Sequence, residues 1–411
     1  MASQGEAADP VAEQYEAYPY PARDPADEAK RLITGSPSHL DELTHYCFAG
    51  RLPRGRPFRA LFAGGGTGDG LVMLAQQCAD RGIAAEIAYL DLSAASRAIA
   101  EARIAARKLE GIRFVTGSLL DVAGLAPGPW DYIDACGVLH HLADPPAGLQ
   151  ALARQLAPDG GMGLMLYGAL GRTGVYPLQA ALRTLAGAEP SKSQVAIARK
   201  LLRDLPPTNW LKRNPYLGDH LSGGDAALFD LLLHARDRAY SVPEIAGLLD
   251  GARLAPTAFI EPIRYRPATW LKDAALIERA KALPWLEACA LAELLSGNMK
   301  SHVVYAVPRG RESQAVASAN NADAIPLWRD GDGKALIATL SRGGALALDL
   351  DGHSVALPIP DGAAAVAQWI DGKRKLADMP ARLGLDWFAF KARFDRLYAL
   401  LNPLNLLLLR G

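Results

Sequence analysis

Between residues 58 and 168 the chain alternates short apolar runs with longer segments of helical periodicity, and few architectures satisfy that alternation. The runs RALFA, AEIAYLDL, IRFVTGS, WDYIDACGV and GMGLMLYG have strand character. Between them lie the helix-like stretches GLVMLAQQCADRG, SAASRAIAEARIAARKL and PPAGLQALARQLAPDG. Strands separated by helices of this length form βαβ units and a parallel, doubly wound α/β sheet. Two more strand candidates come much later, at 253–262 and 301–309. The insertion ahead of them, 172–250, is far longer than an ordinary connection and has the size of a lid or substrate-binding element.

The rest of the 411-residue chain bounds what such a sheet can serve. Half the residues are hydrophobic, enough for a sizeable core, and Lys+Arg balance Asp+Glu at 44 each. That balance makes nucleic acid an improbable partner, and no apolar run approaches the roughly 20 residues that span a bilayer. Cys47, Cys78, Cys136 and Cys289 are scattered without a CxxC pair, which fits a reducing compartment and supplies no metal cluster. With an acidic N-terminus unlike a signal peptide, the expectation is a soluble, cytoplasmic protein that binds neither membrane nor metal.

Ligands of doubly wound sheets bind at the carboxyl ends of the strands, near the point where strand order reverses. The first strand ends in Gly64, Gly65, Gly66, Thr67 and Gly68, a turn that lets a ligand approach the backbone. The second ends in Asp91, followed by Leu92 and Ser93. Asp91 suits a ribose diol, with the N-cap of the helix that follows as the lesser alternative. The third strand ends in Gly117, Ser118, Leu119 and Asp121, and the fourth in Gly137, Val138, Leu139, His140 and His141. Four successive strand ends thus offer small or polar residues in register.

These stretches resemble class I S-adenosylmethionine-dependent methyltransferases. AGGGTG is similar to their glycine-rich first motif, YLDLS to the acidic second, FVTGSLLDV to the third and WDYIDACGVLHHLADP to the fourth. LAPDGGMGLMLY matches the strand after it. The resemblance implies a Rossmann-like seven-stranded methyltransferase sheet with S-adenosyl-L-methionine as cofactor. It further implies that Gly64, Gly65, Gly66 and Gly68 hold the methionyl part, Asp91 with Leu92 the ribose, and Ser118 with Leu119 the adenine. Gly137 and Tyr18 complete the set. One departure stands out: family members commonly carry an acid two positions before the first loop glycine, and here that residue is Phe62.

Outside the motifs, Tyr18-Pro19-Tyr20-Pro21 is a stiff strip that either closes over the cofactor or packs on the surface. His140, His141 and Tyr20 are the candidate catalytic groups. In the insertion, His220, Asp225, Asp230, His234, Asp237 and Arg238 are dense, and on a helix Asp230 and His234 would share a face. The expected organisation is an arm and cap (1–57), the methyltransferase domain (58–310), a linker (311–325) and a C-terminal domain (326–411). In that last domain KALIATL, ALALDL and HSVALPIP have strand character, ahead of two helical patterns and a final strand. It resembles the small winged-helix-like α+β domain appended to bacterial protein lysine methyltransferases. The expected activity is methyl transfer to a protein side chain or a small metabolite. The alternative is a catalytically silent, cofactor-binding regulator acting through its winged-helix-like domain on DNA or a partner protein.

Overall fold

The structure, a computed structural model, describes residues 9–187 and 189–411. The first eight residues of the acidic arm lie outside them. The arm enters as helix α1 (Pro10–Ala17), capped by Asp9, and runs through a short 3-10 helix (Pro25–Ala29) to α2 (Leu40–Cys47). Strands β1 (Phe58–Ala63), β2 (Ala85–Asp91), β3 (Ile112–Thr116), β4 (Trp130–Cys136) and β5 (Leu156–Tyr167) follow. They alternate with helices that include α3 (Asp69–Asp80) and α4 (Ala94–Ala106). With β6 (Leu254–Ile260) and β7 (Ser301–Pro308) they make one seven-stranded sheet of order β3-β2-β1-β4-β5-β7-β6. The first five strands run parallel, and β7 lies antiparallel between β5 and β6.

Successive strand residues point to opposite faces, so a sheet covered on both sides needs apolar side chains throughout. In β1, Phe58, Ala60 and Phe62 pack with Leu43 of α2, Leu71 of α3 and Ile104 of α4. Leu61 and Ala63 join Leu149, Ile245 and Cys289 on the other side. Strand order reverses between β1 and β4, which places the glycine loop and the β4 end side by side.

The insertion builds a small core of its own from helices Val175–Ala186 and Ser191–Asp204 and from Leu228 and Phe229. It is shorter than the 172–250 expected. Helix Val242–Gly251, opened by a Ser241/Glu244 capping box, buries Val242, Ile245 and Leu249 against the sheet. Asp230 and His234 do not share an α-helical face either. Phe229–Leu233 is a π-turn, and His234 leaves it in an extended conformation.

Beyond the sheet come β8 (Ile325–Trp328), helix Lys334–Arg342 and the hairpin β9 (Ala345–Asp349)–β10 (Ser354–Pro358). Helix Trp387–Leu401 then leads to β11 (Leu407–Arg410), which pairs antiparallel with β8. KALIATL is therefore helical, not a strand. It lies in helix Lys334–Arg342, where Leu340 packs inward with Leu336 and Ile337 against the C-terminal core. That change removes one strand from the pattern behind the winged-helix-like reading. Segment 311–325 is packed as well: Ala315 and Ala317 are buried, and their carbonyl and amide bond Ala49 and His45. Leu327 and Leu408 extend the core on the α2 side of the sheet. Buried Glu42 of α2 accepts hydrogen bonds from Ser36, Tyr305, Arg329 and Asn405, joining both ends of the chain. Among the described residues no helix is long and apolar enough to cross a membrane.

Candidate functional site

A cavity of about 430 Å³ opens at the carboxyl ends of β1, β2, β3 and β4, within the size range of small-molecule sites. Gly64, Gly65, Gly66, Gly68, Asp91, Leu92, Ser118, Leu119, Gly137, Tyr20 and His141 all line it.

The glycine loop is shaped from both sides. Gly66 has φ 52° and Gly68 φ 94°, in the left-handed region that side chains disfavour. A Cβ on Gly65 would lie 2.4 Å from the Tyr89 ring, whose hydroxyl donates to the Gly66 carbonyl at 2.8 Å. Asp91 accepts from the backbone N–H of Gly66 (2.8 Å) and of Ser93 (2.9 Å), one donor to each carboxylate oxygen. Ser93, not Asp91, caps α4, its hydroxyl accepting from the Ser96 N–H. That frees the remaining lone pairs of Asp91 for a vicinal diol. Burial pushes the Asp91 carboxyl above its usual range, and the backbone donors oppose that shift.

The arm closes the cavity from above. Glu16 accepts from Ser93 Oγ (3.0 Å) and the Ala95 N–H (3.1 Å) at the start of α4. Thr67 donates to the Pro21 carbonyl at 2.8 Å. Arg23 grips Asp69 with two hydrogen bonds of 2.8 and 2.6 Å. Arg103, 1% exposed, donates to Glu28, Thr67 and Asp69 at 2.6, 2.8 and 2.7 Å, and Arg107 also bonds Glu28. Burial alone would raise the Asp69 carboxyl, but Arg23 and Arg103 hold it below the usual range. The arm, the glycine loop and α4 thus share one buried ion cluster.

Tyr18, expected on the cofactor, stacks instead on Phe229 of the insertion with ring centroids 5.0 Å apart and is not among the cavity-lining residues. His140 is likewise displaced: it is fully buried against Tyr167 at 4.0 Å, and its ring nitrogens have no hydrogen-bond partner among the described residues. Burial holds it well below the usual histidine range, so it supports the wall as a neutral ring.

Tyr15, Tyr167, His141 and Asp230 converge on the side facing the insertion. The Tyr167 hydroxyl donates to Asp230 at 2.9 Å, and the Tyr15 hydroxyl to its other oxygen at 3.2 Å. The Arg236 N–H donates to His234 Nδ1 at 3.0 Å, so the neutral ring carries its proton on Nε2 and donates to Tyr15 at 3.2 Å. His141 has the opposite tautomer. Its Nδ1 meets the Arg236 carbonyl at 3.0 Å and must be the donor, which leaves the lone pair on Nε2. Burial pushes His141 down to about 4, so it is a neutral base at physiological pH.

His141, Asp230 and His234 offer metal-ligand atoms within 4.8 Å of one another, a cluster that sequence spacing did not reveal. The tautomer of His234 opposes metal binding there, because its Nε2 holds a proton and not a lone pair. The sequence also missed Tyr15, Tyr89, Arg103, Asp134 and Tyr167. Tyr89, Asp134 and Tyr167 lie inside the quoted motifs but are not the residues that mark them, and Tyr15 depends on partners more than two hundred residues away.

Residues 61–162 match the family model described as a methyltransferase domain. An uncharacterized protein of Synechococcus sp. is 34% identical over 267 residues, which cover 62% of this chain and 61% of that protein. The chain thus spans less than two thirds of this curated relative. Among solved structures, PKMT2 from Rickettsia typhi aligns with a TM-score of 0.58 at 13% identity, over 89% of this chain and 74% of that one. PKMT2 in complex with AdoHcy aligns with a TM-score of 0.63 at 12% identity, over 92% and 75%. At such identity the likeness is one of fold. The chain therefore has the Rossmann-like methyltransferase fold expected from its sequence, and the match to the methyltransferase-domain model lies within its sheet.

Proposed function

We propose that the protein is an S-adenosyl-L-methionine-dependent methyltransferase acting on a protein side chain or small metabolite. The observation that carries this reading is the cavity itself: one continuous cleft reaches Asp91, the glycine loop, Ser118 and Leu119. Those groups fit the cofactor chemically. Asp91 would hold a ribose diol, the glycine backbone would admit the methionyl chain, and Ser118 with Leu119 would flank the adenine. When bound, the cofactor supplies a methyl group on a positively charged sulfur.

The chain's own residues then do three things. The arm and Tyr20 exclude water above the loop, which favours transfer from a cationic donor. Tyr15, Tyr167 and Asp230 shape the side from which an acceptor approaches. His141, through its Nε2 lone pair, accepts a proton from an acceptor that must lose one. Among the described residues the cavity lining holds neither Lys nor Arg, and Asp230 lies on the acceptor side, which supports a neutral or cationic acceptor over a phosphate or carboxylate.

The test is calorimetry with S-adenosylhomocysteine, followed by incubation with methyl-labelled cofactor and separated protein and metabolite fractions of a cell extract. Binding together with label in one fraction supports the reading. Binding with no labelled product in any fraction favours the silent regulator, and no binding overturns both.

A further inference from the structure

The Phe62 position leaves a chemical gap. An aminoacyl cofactor carries an α-ammonium, and the strand where family members commonly place an acid ends here in Phe62-Ala63. The neighbouring strand carries one. In the sheet register Phe62 of β1 pairs with Asp134 of β4, and both line the cavity. Asp134 is 4% exposed and forms no salt bridge among the described residues. Its carboxylate accepts from Ser38 Oγ and from the Cys136 N–H at 3.1 Å. A buried carboxylate without a cation is costly unless a charged partner arrives.

The surroundings are built to hold that carboxylate. Ser38 sits at φ 78°, unusual for a residue with a side chain, and its N–H donates to Tyr305 Oη at 3.2 Å. Ser38 Oγ also lies 3.1 Å from Tyr132 Oη. Gly35, Ser36 and Pro37 of the arm cover the same end of the cavity. Asp91 ends β2 and Asp134 lies two residues before the end of β4, on either side of β1, so two inter-strand spacings, or about 10 Å, separate their strands. A ligand whose ribose rests on Asp91 therefore extends its aminoacyl chain across the glycine loop towards β4.

We propose that Asp134 is the counter-ion of the cofactor's α-ammonium, replacing from β4 the acid that Phe62 displaces from β1. This rests on the cofactor reading above and concerns only how this chain meets one end of that ligand. Burial pushes Asp134 up to about 6, against the pull of Ser38 and Cys136. The other groups facing it stay in one charge state from pH 5 to 8. Tyr132, Tyr305, Cys136 and Cys47 are raised by burial and remain neutral, and Asp69, next to Cys136, is lowered and remains ionised.

The experiment measures binding of S-adenosylhomocysteine and of methylthioadenosine, which keeps the ribose but lacks the ammonium, to wild type and Asp134→Asn between pH 5 and 8. For wild type, S-adenosylhomocysteine affinity should fall as pH drops through about 6, where the carboxylate becomes protonated. Methylthioadenosine affinity should not follow that change, which also controls for titration of Asp91. In Asp134→Asn, S-adenosylhomocysteine should bind roughly 10- to 100-fold more weakly at pH 8, the scale of a hydrogen bond to a charged group. Methylthioadenosine should bind that variant as it binds wild type, and this also reports an intact fold. Equal losses for both ligands would make Asp134 a structural residue and overturn the proposal. Parallel pH profiles for the two ligands on wild type would overturn it without any variant. Failure of both ligands to bind wild type would instead strike the cofactor reading.

Discussion

Replacing Arg103 with methionine tests whether the arm is latched to the glycine loop by charge. The guanidinium donates to Glu28, Thr67 and Asp69, and methionine fills much of the space but replaces none of these bonds. Breaking a buried ion pair commonly costs about 3–5 kcal/mol, because the partner is left uncompensated. Here the loss is smaller, since Glu28 keeps Arg107 and Asp69 keeps Arg23. The Thr67 carbonyl loses its Arg103 donor, at about 1–3 kcal/mol. The net expectation is about 2–4 kcal/mol of destabilisation, and faster amide exchange in residues 21–30 than in β1. Arg103→Lys should recover only part, because one ammonium cannot reproduce the planar fork across Glu28 and Asp69. Thermal or urea unfolding with hydrogen exchange measures both effects. Unchanged stability together with unchanged exchange in 21–30 would refute the latch.

Other outcomes follow from the same geometry. Asp91→Ala should weaken S-adenosylhomocysteine binding by about 1.5–3 kcal/mol in calorimetry, the range for hydrogen bonds to a charged group; equal affinity in a folded variant would remove Asp91 from the ribose. His141→Gln should lower the transfer rate by about 10²-fold or more for an acceptor that must lose a proton, leaving cofactor affinity unchanged, as single-turnover and binding measurements can separate. Truncation after Gly310 should destabilise the remainder, because Glu42 loses Arg329 and Asn405; a monomeric fragment melting like the full chain would show that the C-terminal part is independent.

The sheet was legible because its signal is repeated. Four largely buried strands and the half-exposed edge strand β3 alternate with amphipathic helices, and the alternation persists through all five. Asp91 and the glycine loop were legible because their chemistry sits at strand ends. What failed depended on tertiary context. Tyr18 and Tyr20 look alike in a stiff YPYP strip, yet Tyr18 meets Phe229 while Tyr20 reaches the cavity. Asp230 and His234 were expected on one helical face. They do cooperate, but through the Tyr15 hydroxyl, whose position depends on an arm docked more than two hundred residues away in sequence. KALIATL carries enough alanine and leucine for a helix, and only its packing decides the matter. Segment 311–325 has a linker's composition, but its small side chains let it lie flat against α2.

Acid stability is where the buried site leaves its clearest mark on the whole molecule. His45 and His141 are pushed down to about 4 by burial, and His234 to about 2. Their unfolded forms titrate near 6.5. Because the folded values are depressed, these rings contribute stability that is fully present above pH 6.5. It is lost as pH falls from there towards about 4, where the unfolded chain binds protons that the native rings refuse. Asp134 acts in the opposite sense. With its folded value raised to about 6, it adds stability at low pH, which is lost as pH rises through 6. The depressed rings of His39, His45, His140, His141 and His234 outnumber the raised carboxyls of Asp91, Asp134 and Asp237, so stability should decline on acidification from about pH 6.5, ahead of the usual carboxylate range. Urea unfolding in steps from pH 7.5 to 5 measures the slope, and His45→Gln should flatten part of it because His45 lies far from the cavity in the contact between α2 and β11. A stability flat across that interval in wild type would mean that these rings ionise inside the fold, and His141 could not then be the neutral base assigned to it.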